Sequence, residues 1–96
     1  MAATYSDIDS LINATPTITN ANFTDGLDWL NSVVAFCKND TSTTAKNKTY
    51  PAIVDDAVNY AYKVDTNKTG TDDVNAFNDY VKHIKSKLTG IKNITS

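Results

Sequence analysis

The apolar residues near the end of the chain recur at alternating spacings of three and four, and this pattern limits the fold more than any other feature. Such spacing places the residues in one stripe along an α-helix, whereas a strand would alternate every second residue. Thr71, Asp72 and Asp73 are typical of a helix start, and Gly90 is typical of a helix end. The stripe consists of Val74, Phe77, Val81, Ile84 and Leu88.

A second stripe lies earlier in the chain. Pro51 suits the first turn of a helix, so we expect the third helix to begin there, after a polar loop over Asn39 to Thr49. Asp56, Asn59 and Lys63 should face away from the core. The stripe that should face the core contains Ile53, Val54, Ala57, Val58, Ala61 and Val64.

The first half of the chain predicts two more helices. One begins near Ser6 and ends before Thr15, because Pro16 follows. The other runs from Thr24 to about Lys38. No segment has the pattern of a strand. We therefore predict an all-α fold, a small four-helix bundle.

The length of 96 residues suits one helical domain over 1–96 with a single modest core. All 11 acidic residues are Asp and all 9 cationic residues are Lys, so the good helix formers Glu, Gln and Arg are missing. Isolated helices of this composition should be weak. We expect tertiary packing to supply most of the helical stability.

The two halves of the chain show a weak internal similarity. A shift of 47 residues aligns 7–38 with 54–85 without gaps and matches nine pairs. Among these pairs, Thr24-Asp25 aligns with Thr71-Asp72. The alignment predicts two αα-hairpin repeats related by an approximate twofold axis.

The charge and cysteine content argue against several classes of protein. A net charge of −2 disfavours nucleic-acid binding, and the single Cys37 can form neither an internal disulfide nor a cysteine-based zinc site. No apolar run is long enough to span a membrane. The N-terminus lacks the pattern of a signal peptide, so we expect synthesis in the cytoplasm. Display on a cell surface or a virion stays open.

The turn before the fourth helix resembles a calcium-binding loop of the EF-hand type. Its candidate metal ligands are Asp65, Asn67, Thr69 and Asp73. However, Ala76 stands where such a loop needs a bidentate Glu. We therefore favour an ordinary turn with a helix cap, and we predict no bound metal or cofactor.

Asn-x-Thr triplets occur six times. The 11 asparagines and 14 threonines would give about 1.6 by chance. All six lie outside the predicted helix interiors, where Asn and Thr serve as turn and cap residues. Glycosylation in an exported protein is the alternative. The triplets begin at Asn13, Asn22, Asn39, Asn47, Asn67 and Asn93.

No pattern of residues indicates catalysis, so we predict that the protein is not an enzyme. His83 lies four residues after Asp79, which permits a contact across one helical turn. A surface ion pair is the simpler interpretation.

The second helix has an apolar face wider than one neighbouring helix needs. Trp29 and Phe36 extend the stripe that contains Val33. These three residues form the predicted interface for a protein partner. The alternative is that the aromatic residues cover the short first helix.

These features favour a small structural or adaptor protein that associates with itself or docks onto a larger assembly, such as a virus- or phage-encoded or surface-displayed subunit. We expect a protein partner and no nucleic acid, membrane or small-molecule substrate. One alternative is an inhibitor or immunity-type protein, with acidic helix starts that occupy a basic site on an enzyme. The other is a weak calcium-binding module.

Overall fold

Four helices account for most of residues 4–40 and 44–94, which the computed structural model describes, and these ranges contain no strand. The helices are α1 (Ile8–Asn13), α2 (Phe23–Asn39), α3 (Thr44–Lys63) and α4 (Thr71–Ile94). Helix α2 packs mainly against α3, α3 packs against α4, and α1 packs against α4. The all-α fold is confirmed, and the helices form a bundle that measures 40 × 21 × 19 Å.

The N-cap of helix α1 lies one residue later than the predicted cap, Ser6. Asp7 is the cap instead, because its Oδ1 accepts a hydrogen bond from the backbone N–H of Ser10 at 2.8 Å. This hydrogen bond also lowers the pKa of the Asp7 carboxyl. The helix ends before Thr15, as predicted, and buries Leu11.

The connector between α1 and α2 contributes to the core, which its polar sequence did not predict. Ile18 is only 2% exposed, and Phe23 at the start of α2 is also buried. The side chain of Asn22 closes the connector, since its Oδ1 accepts from the N–H of Thr19 and its Nδ2 donates to the carbonyl of Thr17. A buried residue therefore lies within a mostly polar segment.

Helix α2 matches its predicted bounds to within one residue at each end. Gly26 lies on its inner face, where α2 approaches the core closely. A Cβ atom at Gly26 would lie 2.5 Å from the Phe77 ring and 2.6 Å from Cδ1 of Ile18. The glycine is therefore required by packing, since a larger residue would overlap both side chains.

Helix α3 begins at Thr44, well before the predicted start at Pro51, which lies inside the helix. Residues 41–43 of the predicted loop lie outside the described residues. Tyr50 explains why the helix continues through the proline. It is 2% exposed, and its hydroxyl donates to Oδ2 of Asp40 at 2.8 Å. Packing of Tyr50 and Ile53 outweighs the local preference against a helix before proline.

Helix α4 continues through Gly90 to Ile94, so the predicted stop at Gly90 is wrong. Ile91 is buried and extends the stripe of the helix by one turn. Lys92 forms an ion pair with Asp9 of α1. These contacts hold the last turn of α4 against the body of the protein.

No helix among the described residues has the length and apolar character needed to cross a membrane. The two predicted repeat halves, 7–38 and 54–85, each end in a long helix, α2 and α4. The first half begins with the six-residue α1, whereas the second begins inside the 20-residue α3. The internal repeat stays a prediction.

Candidate protein-interaction surface

The predicted interface on α2 does not form an exposed patch. Trp29 is 4% exposed, and its Nε1–H donates to the backbone carbonyl of Leu11 at 3.0 Å. Val33 is fully buried. The prediction that they are exposed is wrong for both side chains, because Trp29 packs over α1 and Val33 lies in the core. The alternative role of Trp29, to pack over α1, is what the structure shows.

Phe36 is the one predicted contact residue that remains partly exposed. Its ring meets the Tyr50 ring edge to face, with the centroids 6.2 Å apart. It also lines a cavity of about 480 Å³ between the start of α1 and the end of α2. The cavity wall is mixed in character and includes Tyr5, Asp7 and Asp40.

Helix α3 carries the exposed large hydrophobic residues of the described chain. Val58 is 51% exposed and Tyr62 is 91% exposed. Val58 was predicted to face the core, and that prediction is wrong. It lies four residues from Tyr62 and from Val54, so the three side chains follow one line along the helix. We name this line, with the exposed Pro51 one turn earlier, the α3 edge: Pro51, Val54, Val58 and Tyr62.

A groove of about 300 Å³ adjoins the N-terminal half of the α3 edge. It lies between the end of α2 and the part of α3 around Tyr50 to Asp55, and most of its wall is apolar. We name it the α2/α3 groove, and its lining residues are Cys37, Lys38, Tyr50, Pro51, Val54 and Asp55.

The chemistry at the base of the α2/α3 groove is unreactive. Burial, with a smaller effect of the Asp40 charge, raises the pKa of the Cys37 thiol to about 12. Burial and the hydrogen bond to Asp40 also raise the pKa of Tyr50. Both groups are therefore uncharged near neutral pH, and they form an apolar floor rather than a nucleophilic site.

Asp55 and Lys63 are charged residues of α3 that are adjacent in sequence to residues of the α3 edge. Asp55 is exposed next to Val54, and Lys63 is exposed next to Tyr62. Neither has an ion pair within the described part of the chain. Asp55 also lines the α2/α3 groove, whereas Lys63 lies about 100° around the helix from Tyr62. Lys63 lines a cavity that Phe77 and Tyr80 of α4 also line.

The sequence analysis missed Tyr62 and misplaced Val58. Asn59 and Lys63 were correctly predicted to face solvent, and both are exposed. Tyr62 shares that outward face. A tyrosine on the face opposite the core stripe was the available signal.

Asp65 and Asp73, from the predicted calcium loop, act as turn and cap residues. Oδ1 of Asp65 accepts from the N–H of Asn67 at 2.9 Å, and Oδ2 of Asp73 accepts from the N–H of Gly70 at 3.2 Å. Thr69 is half-buried. Within 4–40 and 44–94, no three His, Cys, Asp or Glu side chains lie together as metal ligands. The structure thus supports the turn interpretation of Asp65 and Asp73.

His83 contacts a carboxylate of α3 rather than Asp79 of its own helix. Its Nε2 lies 3.4 Å from Oδ2 of Asp56, and the same oxygen accepts from Nζ of Lys87 at 2.6 Å. The hydrogen bond from Lys87 is the main reason that the pKa of Asp56 is lowered, and His83 adds to the effect. The contact across one helical turn that the sequence permitted with Asp79 is thus made with Asp56 of α3 instead.

The Asn-x-Thr triplets occupy different settings. Asn13 and Asn39 end α1 and α2, and Asn67 is exposed in the turn before α4. Asn47 and Asn93 lie within helices, so the prediction that all six lie between helices is wrong. Asn22 uses both atoms of its amide group within the connector. That residue therefore has a structural role.

No family model, curated protein or solved structure matches this chain. Arguments about its function therefore start from the surface described above.

Proposed function

We propose that this protein acts by binding another protein through the α3 edge, as a small structural or adaptor subunit. The observation that carries the proposal is the 91% exposure of Tyr62, in line with Val58 and the α2/α3 groove. Exposed apolar residues scattered singly are ordinary on protein surfaces. A protruding aromatic residue beside an apolar groove is typical of interface anchors.

The small contribution of the α3 edge to folding stability supports a role in binding. Val58 and Tyr62 leave much of their apolar surface in water, so they add little to the stability of the folded chain. Their burial against a partner would gain that free energy on binding. Trp29 and Val33, by contrast, are already buried in the folded chain, so their burial contributes to folding and not to binding.

The inhibitor alternative has less support. It requires an acidic surface, and Asp25, Asp72 and Asp73 are indeed exposed at the starts of α2 and α4. However, a cavity beside the start of α4 is lined by Lys63 and Lys68 as well as by Asp65 and Asp73. Mixed charge at this end of the bundle is a poor complement to a basic site.

Site-specific crosslinking tests the proposal. A photoreactive p-benzoylphenylalanine replaces Tyr62 in one variant and Lys82, exposed on α4, in a control. After illumination of cells that make the protein, we expect a discrete protein adduct from position 62 and none from position 82. Equal adducts from both positions, or no adduct from position 62, would overturn the proposal.

A further inference from the structure

Tyr60 of α3 and Tyr80 of α4 stack face to face where the two helices pack together. Their ring centroids lie 4.4 Å apart, and their ring planes differ by only 10°. The other ring–ring contacts among the described residues are edge to face. Both tyrosines are half-buried, so each ring contacts the other and also meets solvent. Two phenols are therefore held in contact at a position that water and a small oxidant can reach.

From this geometry we infer that Tyr60 and Tyr80 form an oxidative crosslinking site, at which a carbon–carbon bond between the two rings ties α3 to α4. The oxidant is a one-electron oxidant of the peroxidase class, with hydrogen peroxide as the terminal electron acceptor. Neither tyrosine belongs to the α3 edge, so this site is independent of the proposed binding surface.

The bond forms from two one-electron oxidations. Each phenol loses one electron to the oxidant and its hydroxyl proton to water, which leaves a tyrosyl radical on each ring. The two unpaired electrons then form a bond between ring carbons ortho to the hydroxyls, and the hydrogens on those carbons move to the phenol oxygens through solvent. The pair thus loses two electrons and two protons in total. One molecule of hydrogen peroxide accepts them and becomes two molecules of water.

The stacked contact favours coupling between these two rings over coupling between molecules. Radicals on separate chains must meet by diffusion, whereas groups already in contact react as if at a very high concentration. Because both side chains are half-buried rather than enclosed, each ring can tilt out of the stack as the bond forms. Tyr62 is more exposed, but no aromatic ring of the described residues contacts it, so its radical would couple with another molecule.

The crosslink should stabilise the fold. It closes a loop of about 20 residues that contains the turn before α4, and helices α3 and α4 are already in contact in the folded protein. Like a disulfide, such a bond restricts the unfolded chain more than the folded one. We expect it to raise the thermal midpoint by about 10 °C.

The test is oxidation of the dilute protein by a peroxidase and hydrogen peroxide, after which monomer is separated from larger species under denaturing conditions. We expect dityrosine fluorescence in the monomer and a mass lower by two hydrogen atoms. Trypsin cleaves after lysine, so the crosslink should join peptide 49–63 to peptide 69–82. Tyr60→Phe and Tyr80→Phe each keep an aromatic ring but remove its hydroxyl. Each should lower the monomer fluorescence by at least about tenfold.

Tyr62→Phe is the matched control, because it removes the most exposed tyrosine of the pair's neighbourhood and leaves both stacked phenols in place. It should reduce coupling between molecules and keep the monomer fluorescence, and far-UV circular dichroism checks the fold of each variant. Monomer fluorescence that survives Tyr60→Phe or Tyr80→Phe, or that disappears in Tyr62→Phe, overturns the inference. So does oxidation of tyrosine without a crosslink in the monomer, or a crosslinked monomer with an unchanged thermal midpoint.

Discussion

The side-chain amide of Asn78, in α4, forms two hydrogen bonds to the backbone of Ile18, in the connector between α1 and α2. Its Oδ1 accepts from the Ile18 N–H at 2.8 Å, and its Nδ2 donates to the Ile18 carbonyl at 3.0 Å. The pair satisfies both backbone groups of a buried residue that belongs to no helix. Asn78 therefore fixes the connector against α4.

Asn78→Ala should lower the free energy of unfolding by about 1–3 kcal/mol, because it leaves the Ile18 N–H and carbonyl without these partners. Urea unfolding followed by Trp29 fluorescence measures the change. Asn75→Ala, at an exposed position of the same helix, is the matched control and should change stability by less than about 0.5 kcal/mol. Equal effects would contradict the role given to Asn78.

Alanine at the two helical glycines Gly26 and Gly90 should change stability in opposite directions. In an open helix position this substitution stabilises by about 1 kcal/mol, and nothing lies within 4 Å of a Cβ at Gly90. At Gly26 the Cβ would overlap Phe77 and Ile18, and overpacking costs about 1–3 kcal/mol. Gly90→Ala should thus raise the thermal midpoint and Gly26→Ala should lower it. A rise in both would mean that the core yields easily around Gly26.

Trp29→Ala and Tyr62→Ala should separate a core aromatic residue from a surface one. The first empties a buried site and frees the Leu11 carbonyl, so it should cost about 3–5 kcal/mol, a large share of the stability of a small domain. The second should cost less than about 0.5 kcal/mol. Thermal unfolding followed by far-UV circular dichroism compares them without tryptophan fluorescence. A mild effect of Trp29→Ala would contradict its role in holding α1.

The ion pair of Asp56 with Lys87 should contribute to stability in a pH-dependent way. The pKa of Asp56 is lowered in the folded state, so its contribution is present above the unfolded pKa of about 3.9. The contribution is lost as pH falls through the folded pKa. Because both side chains are partly exposed, we expect less than about 1 kcal/mol.

The difference in unfolding free energy between the original chain and Asp56→Asn measures this contribution. It should be greatest near neutral pH and shrink as pH falls below the unfolded pKa of about 3.9 and through the lowered pKa of folded Asp56. Asp55→Asn, next to it on the exposed face, controls for the loss of one negative charge. A difference for Asp56→Asn that grew with acid would reverse the assigned sign.

Cys37 should react slowly with a disulfide reagent in the folded protein. Its thiol is buried and its pKa is about 12, so the reactive thiolate is scarce and shielded at pH 8. A variant with Cys37→Ser and a new cysteine at Ser86, which is exposed, should react many times faster. The reaction with Cys37 should accelerate in urea. A rate equal to that of the surface cysteine would show that the groove floor is open.

The sequence predicted those parts of the fold that depend on local periodicity. Apolar spacing predicted the bounds of α2 to within one residue, although Asn22 rather than Thr24 is its N-cap. The Thr71-Asp72-Asp73 segment predicted the start of α4. Pro51 and Gly90 misled the prediction because the packing of Tyr50 and Ile91 outweighs their local preferences. The contact of Asn78 with Ile18 could not be predicted, since 60 residues separate the pair.

The candidate surface was harder to predict than the fold. A wide apolar face on α2 predicts that the face is buried but does not show which element covers it. For Trp29 that element is α1. Val58 has the spacing of a core residue, yet the orientation of α3 places it at the edge of the core, where it is exposed. Which of two adjacent apolar residues is covered depends on the crossing of helices, and a single sequence does not contain that information.

The exposure of Tyr62 allows selection for binding to be distinguished from selection for folding at this position. The fold places almost no constraint on that position, so mutation can replace the tyrosine with a polar residue without any loss of folded protein. Drift alone would soon remove it. If descendants of this gene keep an aromatic residue at position 62 while position 59 varies freely, the retained residue would indicate selection for binding and not for folding.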